Sequence, residues 1–403
     1  MPVEVRPASA AEMDEYQRVA LSALVLPPQK ASPDTIHGIR PEMTLCAFVD
    51  GRLATAYAAW PLKIRINGGL VPTAGITFVG TRPSYRRQGL LRKIVTRHFE
   101  RMHAQGEQPL AVLVASQASI YHRYGFAVVT TRNSYQVEPR FIRFVHPLSQ
   151  RGTLREVAEN ENELLNRIYC TFCEERTGYL RRGKATWAGG VLRPAPDNSQ
   201  LFKMIYEENG VAQGYVIYTV EPSYVTDGLP WQKVFIRDLA WLSGSAYAAL
   251  WDHMSTFELA DQVVWMRVPK DDPLPHLLLE PRRLNLGSSD GVMARIVDVA
   301  RALPLRRYAE EGALTFELID PLCPWNNGCW QLEATCDGTE VRSTRQAAQV
   351  RLPVDTLSML LFGQISASEA FRMGRMDVFD DTAVATWDRL MRTKYKPFCP
   401  DYF

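Results

Sequence analysis

A short β-rich run, a basic turn closed by glycine, an amphipathic helix and a second apolar strand follow one another between residues 75 and 121, the order of an α/β unit of strand, turn, helix and strand. Residues 76–80 are apolar and β-rich, which predicts a strand. Residues 82–88 form a polar loop containing Pro83, and Gly89 follows it. From there the apolar side chains fall at Leu90, Leu91, Ile94, Val95, Phe99 and Met102, a helical stripe that stops at Gly106. The second strand, 110–115, runs on through Ser116 and Gln117 to Tyr121.

The first turn of a helix carries backbone N–H groups with no acceptor inside the helix, and the macrodipole adds partial positive charge there. A diphosphate suits such an end. Gly89 removes the side chain that would hold a phosphate off the backbone, and Arg86, Arg87 and Arg92 add formal charge beside it. Taken alone, Arg-x-x-Gly reads equally well as a basic loop on a solvated face.

Set between strand and helix, Arg86-Arg87-Gln88-Gly89 resembles the acyl-CoA-binding motif of the GNAT N-acetyltransferases, Arg/Gln-x-x-Gly-x-Gly/Ala, from which Leu91 departs at the sixth position. The longer run through Leu90, Leu91 and Arg92 is similar to the variant found in the Eis (enhanced intracellular survival) family, as is Ile-Tyr-His-Arg-Tyr-Gly-Phe at 120–126. Two motifs at the family's separation make the resemblance specific.

The resemblance implies an α/β chain of tandem GNAT acetyltransferase domains followed by an α+β sterol-carrier-protein-like domain, divided here as 1–148 (catalytic), 149–289 (degenerate) and 290–403. It implies acetyl-CoA as co-substrate, with backbone contacts to the pantetheine from Val79, Gly80 and Thr81 where the two strands diverge. Arg87, Gln88, Gly89, Leu90, Leu91 and Arg92 make the pyrophosphate turn, and Ser116 and Gln117 add further contacts. Tyr121 becomes the general acid and the α-carboxylate of Phe403 the general base. The acceptor is a primary amine of a small molecule, with aminoglycosides and other amine antibiotics as candidates and hence a link to antibiotic resistance, and the assembly is a homohexamer. Without the motifs, Tyr121 would be a packed aromatic beside Tyr124 and Phe126, and Phe403 a frayed chain end.

Composition narrows the alternatives. A length of 403 residues suggests two or three domains, and 46% hydrophobic with 22% charged residues is ordinary for a globular protein. The net charge of +2 gives no case for nucleic acid. No uninterrupted apolar window of about 18 residues exists, and the first residues lack the order of a signal peptide, so the expectation is a cytoplasmic protein with no membrane partner. Seven scattered cysteines do not make a disulfide framework, and Cys170 and Cys173 have zinc-like spacing without a second pair, so buried thiols are expected and no metal.

In chain order, residues 11–23 read as an amphipathic helix, and Pro27, Pro28 and Pro33 mark a loop. Two strands joined at Asp50-Gly51 make a hairpin, and Asn67-Gly68 makes the next turn. Residues 150–285 hold a second α/β region, with a helix at 161–176, strands at 201–206, 214–220 and 234–241, a helix at 246–257 and a strand at 262–267. No Arg-x-x-Gly lies between Leu239 and Leu250. His276, beside Pro275, reads as structural. From Val292 the pattern resembles a sterol-carrier-type module, which in the Eis family delivers the chain's own C-terminus to the site.

The chemistry sets limits on the two assigned groups. A tyrosine protonating a thiolate at their reference pKa values is uphill by roughly 2 kcal/mol, whereas a carboxylate deprotonating an ammonium is uphill by about 9 kcal/mol. The carboxylate is therefore expected to orient the amine and collect its proton after attack, when the nitrogen has become acidic. Aminoglycoside-acetylating Eis proteins carry an acidic residue near the end of the first helix, but residues 21–30 hold none here, and Asp401 stands one place earlier than the family's terminal acid. Aromatic residues such as Trp60 point instead to a less polar amine or an amino-acid-like substrate. The alternative reading is a lipid or hydrophobic-ligand binding protein built on the last module, with a vestigial acetyltransferase site.

Overall fold

The computed structural model describes residues 2–23, 38–146, 151–195, 199–221 and 232–403. The expected loop at Pro27, Pro28 and Pro33, and most of the stretch 21–30, lie outside the described residues. The chain forms two compact units, one of residues 1–129, 292–392 and 403, the other of residues 130–291 and 393–402.

The first unit opens with β1 (Val3–Arg6), α1 (Met13–Ala23), β2 (Cys46–Val49), β3 (Arg52–Ile66) and β4 (Gly69–Thr81), the strands antiparallel in that order. Both connecting hairpins turn where expected. Asp50-Gly51 and Asn67-Gly68 hold all four residues at positive φ, as the tight turns that match strand twist require. Strands β3 and β4 run longer than their apolar cores because the pairing continues out to the second turn. Then come α2 (Leu90–Gln105), β5 (Leu110–Val114), α3 (Ala118–His122) and β6 (Ala127–Val128), with β5 parallel to β4. Leu90, Ile94, Val95, Phe99 and Met102 of α2 are buried with Tyr124 and Phe126, as the stripe predicts.

The next strand, β7 (Thr131–Val137), pairs in a second sheet. That sheet contains β8 (Thr153–Glu156), β9 (Leu201–Glu208), β10 (Val211–Val220) and β11 (Gln232–Trp241), all antiparallel, then β12 (Ala260–Pro269) parallel to β11, then β7, and β13 (Gly287–Asp290) at the edge. Its helices include α4 (Asn162–Phe172), α5 (Lys184–Gly189) and α6 (Gly244–Ser255). One residue after β13, β14 (Val292–Ile296) enters the first sheet between β5 and β6. The two sheets therefore share one plan, and each takes a strand encoded on the far side of a border expected at 148 or 289.

The remainder of the first unit is a five-stranded sheet of β15 (Gly312–Ile319), β16 (Gly328–Thr335), β17 (Gly338–Ser343), β18 (Val350–Pro353) and β19 (Asp377–Val378), in the order β17-β16-β15-β18-β19. Helices Val354–Phe362 and Asp381–Leu390 accompany it, and the fully buried Trp387 meets Phe316 edge-on at 5.4 Å. All seven cysteines are free thiols, Cys173 buried and Cys170 half-buried. Among the described residues no cluster of His, Cys, Asp and Glu is placed to hold a metal ion, and no helix is long and apolar enough to cross a membrane.

Candidate active site

The site begins where two parallel strands stop pairing. β4 and β5 match Thr73 with Leu110, Ala74 with Ala111 and Gly75 with Val112, and no further, so residues 76–81 part from β5. A bulge on β4 turns the strand at that point. Ala56 faces Gly80 while Ala58 faces Thr77, which leaves one extra residue on β4, and Phe78 takes φ +49°. An aromatic residue in the left-handed region is uncommon, and the bulge explains it. Val79 and Thr81 are half-buried on this diverging stretch. Gly80 is buried against α1, where an added Cβ would come within 2.7 Å of the Ala23 Cβ. The diverging strands supply free backbone groups beside an apolar wall, the arrangement a thioester and its pantetheine arm require.

At the end of β4 the chain turns through residues 82–88 into α2. Arg82 is spent on structure, donating to the Leu53 carbonyl at 2.8 Å and pairing with Glu15 at 2.7 Å. Arg87 (φ +62°) and Gly89 (φ +75°) are both left-handed, and Gly89 caps the helix from that conformation. A Cβ on Gly89 would meet no protein atom, so what glycine supplies there is the backbone angle and an unobstructed approach to the amides of residues 90–92. Arg87, Gln88 and Arg92 are exposed around this end, Leu91 is half-buried and Leu90 packs into the core. Gln88 closes the turn by donating to the Ser84 carbonyl at 3.3 Å.

Tyr121 sits on α3, not at the end of a strand, because β5 stops at Val114 and the exposed Ser116 and Gln117 carry the chain into the helix that Gln117 caps. Its ring meets Phe126 edge-on at 6.0 Å, and its carbonyl accepts from the Tyr124 N–H at 2.9 Å. Burial, and then the neighbouring Tyr124, push its hydroxyl up to about 12. Against a reference thiol that makes proton donation uphill by about 5 kcal/mol, more than the reference values imply, unless the same dry wall raises the thiol as well.

Two features near this tyrosine escape sequence reasoning. Tyr57 and His98 are buried and bonded through the Tyr57 hydroxyl and His98 Nδ1 at 2.6 Å. Burial holds His98 neutral, at about 3, and raises the Tyr57 hydroxyl, with Tyr121 adding to that rise. His98 lies one turn from Ile94 and Met102, and that spacing is the signal that it faces inward. The second feature is Arg295 on β14, fully buried. It pairs with the buried Asp320 at 2.7 Å and donates to the Tyr124 carbonyl at 2.7 Å, which fixes the turn following Tyr121.

Phe403 belongs to the first unit, where its ring stands against Gly75, the last β4 residue paired with β5; a Cβ on Gly75 would come within 3.0 Å of the Phe403 Cδ2. Trp60 faces the same Gly75 across β3 and β4. Asp401 is otherwise engaged. It is buried in the second unit and accepts from Arg182 Nε at 2.9 Å, so it is not a free acid for a cationic substrate. His276 is exposed on a short helical turn of the second unit.

Comparison with known proteins agrees with this geometry. Residues 4–129 and 178–296 each match an acetyltransferase (GNAT) domain, and residues 299–400 match a sterol carrier protein domain. An uncharacterized N-acetyltransferase of Streptomyces avermitilis is 30% identical over 360 residues, which is 88% of this chain and 87% of that one. The N-acetyltransferase Eis of Mycobacterium tuberculosis is 28% identical over 339 residues, 81% of this chain and 80% of the relative. Among solved structures, Eis1 of Mycobacterium abscessus superposes with a TM-score of 0.83 at 27% identity, covering 99% of this chain and 100% of that one. A GCN5-related N-acetyltransferase of Anabaena variabilis shares the fold, with a TM-score of 0.88 at 23% identity over the full length of both chains. Two acetyltransferase domains and a sterol-carrier domain in one chain define a multidomain N-acetyltransferase. Within that class, this chain belongs to the Eis family.

Proposed function

We propose that the protein transfers the acetyl group of acetyl-CoA to a primary amine of a small molecule, working from residues 1–148 as the catalytic segment, with 149–289 degenerate and 290–403 supplying the terminal carboxylate. The acetyltransferase fold implies acetyl-CoA use. Val79, Gly80 and Thr81 would hold the pantetheine through their backbone, Arg87 to Arg92 the diphosphate, and Ser116 and Gln117 the remainder. Tyr121 would protonate the departing thiolate, and the Phe403 carboxylate would orient the amine and collect its proton. The observation that carries this reading is the end of β4–β5 pairing at Gly75, with the ring of the last residue against it. With Asp401 bound to Arg182 and Trp60 opposite Gly75, an aromatic or amino-acid-like amine suits the site better than an aminoglycoside.

A lipid-binding protein with a vestigial site finds no favour in relatives named as N-acetyltransferases. Thiol release from acetyl-CoA, measured across aminoglycosides, polyamines, aromatic amines and amino-acid esters, is expected to exceed hydrolysis for at least one class; silence across the whole panel counts against the proposal. One residue added after Phe403 should abolish turnover and leave CoA affinity unchanged. A cytoplasmic homohexamer completes the proposal, and sedimentation of the full chain tests the assembly.

A further inference from the structure

The second unit lacks the diphosphate turn, yet three of its arginines, Arg132, Arg182 and Arg267, hold residues 400–402 of the chain. Phe398 is buried against Tyr179 at 5.7 Å, its N–H donating to the Thr177 carbonyl at 2.9 Å, and Gly178, at φ +94°, lets the chain pass, since a Cβ there would come within 2.5 Å of the Phe398 oxygen. Arg267 then donates to the Pro400 carbonyl at 2.8 Å and lies 3.6 Å over the Tyr402 ring, whose hydroxyl accepts from Arg132 at 2.5 Å. Between these, Asp401 is buried and bonded to Arg182.

Arg182 is itself buried and also bonds Asp238 of β11 at 2.5 Å, while Tyr215 donates to the same carboxylate at 2.7 Å. One guanidinium thus holds a carboxylate of the unit's own sheet and a carboxylate of the tail. A buried ion removed from water is costly unless every partner is in place, so the cluster admits one position of Asp401.

We infer that this unit serves as a dock for the C-terminal tail, with Arg182 a positioning residue that acts through Asp401 to fix where the Phe403 carboxylate stands. The inference rests on the proposed role of that carboxylate. Only Tyr402 separates the clamped aspartate from the terminus, and its ring and hydroxyl are both held. A carboxylate that must meet an amine proton gains most of its effect from being held in place.

The test uses the full-length protein in four forms: unaltered, Asp401→Asn, Arg267→Met, and lacking Phe403. Asp401→Asn keeps the shape of the clamp and removes its charge, and Arg267→Met loosens the outer contact should the first variant fold poorly. All four forms are followed by kcat, by KM for acetyl-CoA and by thermal melting, and the three that keep Phe403 also by the rate at which a carboxypeptidase releases it, read by mass spectrometry. For Asp401→Asn and Arg267→Met the expectation is a kcat roughly 10- to 100-fold lower with KM for acetyl-CoA unchanged and release of Phe403 roughly tenfold faster, with the melting temperature lowered in Asp401→Asn, which leaves buried Arg182 a single carboxylate, and unaltered in Arg267→Met. Release and kcat at unaltered-protein values in both variants overturn the dock. Full turnover by the chain lacking Phe403 overturns the carboxylate's role instead, and the release rate then still decides whether the tail is held.

Discussion

The two acetyltransferase-type sheets are built alike and equipped differently. Each places four antiparallel strands before a parallel join, and each bulges its fourth strand near that join, at Phe78 in one and at Arg237 in the other. Beyond the last β4–β5 pair the first sheet presents bare backbone, a glycine and an apolar ring. Beyond the last β11–β12 pair, Ile236 with Trp265, the second presents Asp238, Arg182 and Tyr215 in a buried ionic cluster. The following helix differs too. α2 starts at a left-handed glycine amid arginines, whereas α6 starts at Ser243, whose hydroxyl accepts from the Ala246 N–H at 3.1 Å and so satisfies one of the amides an anion would use. The two sheets share the strand geometry and not the side chains, because the bulge follows from sheet pairing while the proposed anion site depends on a few residues at the helix start.

The comparison breaks most readily at Tyr121, the proposed acid. Tyr121→Phe should lower kcat roughly 100-fold with little change in melting temperature, since only a hydroxyl is lost; unchanged kcat would return this tyrosine to a packing role. Next comes the helix start. Gly89→Val forces a β-branched residue to φ +75° and should raise KM for acetyl-CoA roughly tenfold, while Gly244→Ala at the matching helix start should leave it alone. Equal effects at the two glycines would mean that both units bind CoA.

The smallest effect concerns the second unit's buried Asp272. Its Oδ1 accepts from Tyr247 at 2.8 Å, Tyr135 at 3.0 Å and the Leu274 N–H at 3.1 Å, and burial raises its pKa from 3.8 to about 6. A carboxyl whose folded pKa lies above its unfolded value stabilises the fold fully below pH 3.8, and that contribution is lost as pH rises through about 6. The loss is about 3 kcal/mol at most. Asp272→Asn should flatten the pH dependence of unfolding across that window, followed by tryptophan fluorescence in urea.

Much of this was legible in the chain. Gly89 and Gly106 bound α2 because both ends need left-handed backbone, and Asn67-Gly68 announces its turn for the same reason. The bulge at Phe78 was not, since an aromatic side chain gives no sign of positive φ and the extra residue exists only relative to β3. The pairings of Arg182 with Asp401 and of Arg295 with Asp320 also escaped, because a charged residue in a sequence shows no partner until that partner, here 219 or 25 positions away, is brought to it. The exchange of β7 and β14 escaped for a related reason: local pattern predicts a strand but not its neighbour.

That exchange sets a schedule for synthesis. When the ribosome has delivered β5 and β6, the strand that belongs between them is still more than 160 residues from being made, and β7 emerges well ahead of its own partners, β12 and β13. The first sheet must therefore wait with two unzipped edges while its neighbour is translated, and it cannot be finished before residue 296 leaves the exit tunnel, nor the second sheet before residue 290.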